Sequence, residues 1–99
     1  MTLTQRKVTQ IGRQRASEFL WGETGGRIFT AYFIKKDGTM RDMTCRRGVK
    51  AYLVGGGLLY DPKPKQLLPV FDMAIKEYRM IPLNRLISFN IGNETFVVQ

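Results

Sequence analysis

The sequence predicts one small, mainly β domain, rolled into a closed or partly closed barrel of five to six short strands. Three observations carry that prediction. From Arg27 onward the apolar residues recur with a period of two. Turn formers such as Asp37-Gly38, Pro82 and Gly92-Asn93 punctuate the alternating segments at close intervals. A chain of 99 residues with 43% hydrophobic and 24% charged side chains suits one modest core and is too short for two. A flat sheet of this size would leave an apolar face open, whereas rolling it up buries that face and removes long edges.

Residues 1–16 carry Arg6, Lys7, Arg13 and Arg15 with no acid, half of the net charge of +8, and read as a flexible basic arm ahead of one domain over 17–99. Ser17-Glu18-Phe19-Leu20-Trp21 fits one or two helical turns, capped by Ser17 and ended by the "GETGG" that follows. "RIFTAYFIKK" alternates Phe29, Ala31 and Phe33 with Ile28, Thr30, Tyr32 and Ile34, a strand with apolar character on both faces. Asp37-Gly38 supplies the positive φ of a tight hairpin, and "TMRDMTCRR" returns with Met43 and Cys45 on one face and Asp42, Thr44 and Arg46 on the other. Val49 to Val54 fits either a short helix or a strand, and with Gly55-Gly56-Gly57 and "DPKPK" at 61–65 the stretch is read as a loop excursion. "LLPVFDM" over 67–73 is the next strand, with Pro69 near its start or on an edge because proline donates nothing to a ladder. Ala74-Ile75-Lys76 turns into the strand "EYRMI"; Pro82 ends it, "PLNR" makes a single helical turn, "LISFNI" is another strand, and "ETFVVQ" closes a last hairpin. A 3₁₀-like turn at that corner is what SH3-like barrels use.

Sixteen Lys and Arg stand against eight Asp and Glu, with a pI near 10.1, so an anionic partner is expected, nucleic acid before membrane. No histidine is present, which removes the usual general base and the commonest metal ligand. Catalysis, cofactor and metal are therefore not expected. The lone Cys45 forms no internal disulfide and reads as a small buried hydrophobe in a reducing compartment. "GGG" at 55–57 lacks the Gly-Lys-Ser/Thr that a phosphate loop needs, and the scattered carboxylates form no acid–base pair. No apolar leader is present and no run approaches the ~20 residues of a membrane span, so a soluble cytoplasmic protein is expected. The basic residues cluster better. Arg41, Arg46, Arg47 and Lys50 follow the first hairpin, and Arg79 and Arg85 flank the Pro82 break. Brought to one face, their guanidinium forks would grip phosphate while Tyr78, with Tyr32 and Tyr60, stacks bases.

"FTAYFIKKDGTMRDMTCRRGVK" (29–50) with "VFDMAIKEYRMIPLNRLISF" (70–89) resembles the small phage-encoded WYL-type domains with an Sm-like, SH3-like barrel. The shared pattern is matched by Lys35, Asp37, Gly38, Thr39, Arg41, Met43, Cys45, Arg46, Val70, Phe71, Asp72, Tyr78 and Arg79. Larger members carry an arginine-rich segment associated with a pocket for nucleic-acid or nucleotide ligands, onto which Arg79, Leu83, Arg85 and Leu86 fall; Pro82 and Asn84 depart from it, and the eponymous Trp-Tyr-Leu is absent. The resemblance implies a phage accessory or regulatory protein in the bacterial cytoplasm. The function expected is non-catalytic binding of single-stranded DNA or RNA through Arg41, Arg46, Arg47, Lys50, Tyr78, Arg79 and Arg85. The alternatives are an inhibitor that binds a host or defence protein, or a sponge for short or cyclic oligonucleotide signals. A homo-oligomer through strand edges, with "ETFVVQ" as the pairing edge, is a further expectation.

Overall fold

A computed structural model describes residues 6–48 and 65–99. The elements are β1 (Lys7–Ile11), α1 (Arg13–Gly22), β2 (Phe29–Ile34), β3 (Met40–Arg46), β4 (Leu67–Asp72), β5 (Glu77–Pro82), a 3₁₀ turn (Leu83–Arg85), β6 (Leu86–Ile91) and β7 (Glu94–Val98). The readings of Val49–Val54, the triple glycine, Tyr60 and Lys50 fall outside the described residues. No helix among the described residues is long and apolar enough to cross a membrane.

The fold is a small all-β domain, and the hairpins lie where the sequence puts them. Gly38, at φ 89°, makes the β2–β3 turn, and Asp37 Oδ1 accepts from both the backbone N–H and the hydroxyl of Thr39. Phe29, Ala31 and Phe33 pair with Cys45, Met43 and Arg41, which sets these six on one face. Pro82 ends β5, and the 3₁₀ turn follows it. Pro69 stands third in β4, past the two residue pairs that join β4 to β3, so its missing N–H leaves no gap in that ladder.

The sheet itself differs from expectation. It has seven strands in the order β1-β7-β6-β2-β3-β4-β5, open, with β1 and β5 as its edges, rather than five or six strands closed into a barrel. The apolar face is sealed by α1 instead. Ala16 and Leu20 are fully buried, and the Phe19 ring lies 5.8 Å from that of Phe89 and 5.1 Å from that of Phe96. Helix and sheet thus share one core of Phe29, Phe33, Leu68, Val70, Ile81, Leu86 and Phe89. Burying that face removes the drive for closure.

The basic arm is also corrected. Residues 7–11 form β1, parallel to β7 with Lys7 opposite Glu94 and Ile11 opposite Val98. Consequently "ETFVVQ" is an interior strand, not an edge open to a second copy. Helix α1 starts at Arg13 with Gly12 as its N-cap, four residues before Ser17, and no side chain caps it. Arg13 and Arg15 in its first turn oppose the helix dipole, so packing of Ala16 and Leu20, not local preference, sets that end.

Candidate nucleic-acid interface

The arginines singled out in the sequence do not share one surface. Arg41 stands on the core-facing side of β3, where its Nη2 lies 3.4 Å from Oδ2 of the buried Asp72, whose Oδ1 accepts from Ala74 N–H. Arg79 lies on the edge strand β5 beside Glu77, 3.9 Å away. Arg85 donates Nε–H to the Ile34 carbonyl at 2.9 Å and ties the 3₁₀ turn to the end of β2. Arg47 lies over the Trp21 ring at 4.4 Å and donates to the carbonyls of Trp21, Leu20 and Pro69. It satisfies the C-terminal carbonyls of α1 with a positive charge, where the helix dipole favours one. Burial lowers its pKa somewhat, though a guanidinium remains charged.

Of the expected set, Arg46 and Tyr78 do come together. Register aligns Arg46 with Phe71 and Phe71 with Tyr78, a row across β3, β4 and β5 on the face away from α1. The Tyr78 ring meets Phe71 edge-on at 5.7 Å. The buried Nε of Arg46 has no acceptor. Lys50 follows Gly48 outside the described residues.

A different cationic group is assembled by the fold. Because Phe29 is level with Cys45 and Ile91, and Ile91 with Glu94, the ends of β1, β2, β3, β6 and β7 lie along one end of the sheet. Along it stand Arg6, Lys7, Arg27, Arg46 and Arg47. Arg6 donates to the Glu94 carbonyl, Lys7 N–H to the Asn93 carbonyl, and the Arg27 guanidinium crosses Gly92 so closely that a Cβ there would sit 2.8 Å from Nη2. The acid on these strand ends is Glu94, 3.7 Å from Lys7 and bonded to Thr9 Oγ1. Glu23, after the helix, is held by Arg15, whose hydrogen bond depresses its carboxyl pKa.

Beside this rim, the face away from α1 is polar and ordered. Thr95, Asn90, Thr30 and Thr44 form a row across β7, β6, β2 and β3. Thr95 Oγ1 donates to Asn90 Oδ1 at 2.8 Å, and the Thr30 and Thr44 hydroxyls meet at 3.0 Å. Ser88, Tyr32 and Asp42 make the next row. Arg27 entered the sequence reading only as the first residue of the alternating segment, not as a cation of the site; Arg6 and Lys7 were noted only as arm. The β-branched Val8, Thr9 and Ile11 were the signal for β1. No protein-family model matches the chain, and neither does any curated protein or solved structure.

Proposed function

We propose that this chain is a non-catalytic nucleic-acid-binding protein whose ligand is single-stranded DNA or RNA. The observation that carries the reading is the rim of Arg6, Lys7, Arg27, Arg46 and Arg47 at the ends of β1, β2 and β3, against Glu94 on β7. Asp72 and Glu77, level with Cys45 on β4 and β5, face Arg41 and Arg79. Crowding five cations along one end of a sheet raises their mutual repulsion, and a polyanion relieves it while releasing its own counterions. Phosphates bind along the rim, chiefly through the exposed Arg6, Lys7 and Arg27. Bases lie on the adjoining polar face, where Tyr32 and Tyr78 offer rings and Asn90, Ser88, Thr30 and Thr44 offer hydrogen bonds. The resemblance to WYL-type domains supports the same ligand class, and with it a regulatory role for a phage in a bacterial cell.

The test is fluorescence anisotropy of a labelled single-stranded 20-mer over a salt series. Binding is expected at low salt, with log K falling linearly against log salt by ~0.7 per phosphate neutralised. Absent binding at low salt, or binding indifferent to salt, overturns the reading. So does a protein captured from nuclease-treated bacterial lysate that competes with the oligonucleotide, which would favour the inhibitor function instead.

A further inference from the structure

A cleft of about 370 Å³ lies between the first half of α1 and the 3₁₀ turn, lined by Arg13, Gln14, Ser17, Glu18, Gln66 and Leu83. Its size falls in the range of small-ligand sites, and its walls are fixed. Arg13 Nη1 donates to the carbonyls of Leu83 at 2.6 Å and Leu86 at 3.1 Å, which pins helix to turn. The Gln66 carbonyl accepts from Leu83 N–H at 2.8 Å, which pins the start of β4 to the same turn. Gln66 holds a φ of 55°, a left-handed conformation that costs a side-chain-bearing residue energy. Lys76, at φ 57°, has the β4–β5 turn to explain it. Gln66 stands in the turn that leads into β4, which accounts for its φ, and it lines the cleft beside Leu83.

The chemistry of the lining selects a ligand class. Arg13 already donates to the Leu83 and Leu86 carbonyls, and Glu18, which also lines the cleft, is a carboxylate 3.9 Å from Arg15, so an isolated phosphate gains little here. The two carboxamides of Gln14 and Gln66 each present a donor and an acceptor in one plane, the complement of a heterocycle edge carrying both. Ser17 adds a hydroxyl, and Leu83 gives an apolar surface for a ring. We propose that this cleft takes one nucleobase, read along its hydrogen-bonding edge by Gln14 and Gln66. The proposal rests on the single-strand reading for its source of bases, although free nucleosides carry the same chemistry.

The experiment is a ¹⁵N-NMR titration with the four uncharged ribonucleosides, then with a single-stranded oligonucleotide and its abasic counterpart. At least one nucleoside, or the strand but not its abasic form, should shift the amides of Gln14, Ser17, Glu18, Gln66 and Leu83 saturably. Gln66→Gly, which suits the left-handed backbone, should melt no lower than the parent yet weaken the response about tenfold, as loss of a paired hydrogen bond would. Ser17→Leu, which fills the cleft, should abolish it. If nucleosides and strand leave these amides unmoved, the cleft proposal falls, while salt-dependent strand binding would keep the rim reading intact. If nucleosides bind and no strand is retained at any salt, the rim reading falls and the cleft is a site for free bases. A response unchanged in both variants overturns the proposal outright.

Discussion

An arginine's role is decided by what its fork reaches, and here the forks divide into structural and free. Arg47 holds three backbone carbonyls and covers Trp21, so Arg47→Ala should cost ~3 kcal/mol in urea denaturation, the sum of charged hydrogen bonds and a partly desolvated cation–π contact. Arg79, exposed beside Glu77, should lose no more than ~0.5 kcal/mol on the same change. Equal losses at the two positions would contradict this division. Cys45 is wholly buried, and burial first, then the nearby Asp72 charge, pushes its thiol up to about 12. It should resist iodoacetamide at pH 8 until the chain is unfolded. Between the ordinary thiol pKa of 9.0 and about 12 the unfolded chain has lost this proton while the folded chain keeps it, so stability falls as pH rises through that window. A Cys45→Val variant should show a shallower alkaline loss; an identical slope would remove Cys45 as its source. The burial of Cys45 was legible in the sequence, but the arginine roles were not, because whether an arginine meets water or a carbonyl from a distant residue is a property of the assembled fold. Arg85 and Ile34 make the case: 51 positions separate donor from acceptor.

At the scale of elements, the open sheet depends on α1 to do what barrel closure was expected to do. Phe19→Ala removes a ring that touches Phe89 and Phe96 and should cost ~3 kcal/mol by thermal or urea unfolding. A loss under ~1 kcal/mol would mean the helix is not what seals the core. Gly92, at φ 59° beneath the Arg27 guanidinium, should tolerate alanine at ~1–2 kcal/mol, with Arg27 displaced from the rim. The β2–β3 hairpin was legible because turn chemistry and alternation are local: Asp37-Gly38 and ten flanking residues hold the information. The 3₁₀ turn was legible because Pro82 cannot continue a ladder. β1 was hidden for the opposite reason. Its five residues are short, basic at one end, and stabilised only by β7, almost the whole chain away. The early helix start was hidden too, since Gly12 offers no capping side chain and the first turn carries the wrong charges.

For the whole molecule, the net charge of +8 announced an anionic partner, but composition says nothing about where the charge is concentrated. The sequence grouped cations that are near one another in the chain; the sheet groups those that share a level across strands. Six of the seven described acids lie within ion-pairing distance of a cation, Asp42 being the exception. The excess is therefore left at specific places, the rim among them. Its affinity for a strand should come chiefly from the exposed cations Arg6, Lys7 and Arg27. The most direct measurement compares single-strand affinity at fixed low salt for the parent chain, Arg6→Ala/Arg27→Ala and Arg79→Ala, each checked for an unchanged melting temperature. The rim account predicts a loss of at least about tenfold and a shallower salt slope for the double variant, with Arg79→Ala bound as tightly as the parent. Undiminished binding by the double variant, or a matching loss in Arg79→Ala, would contradict it.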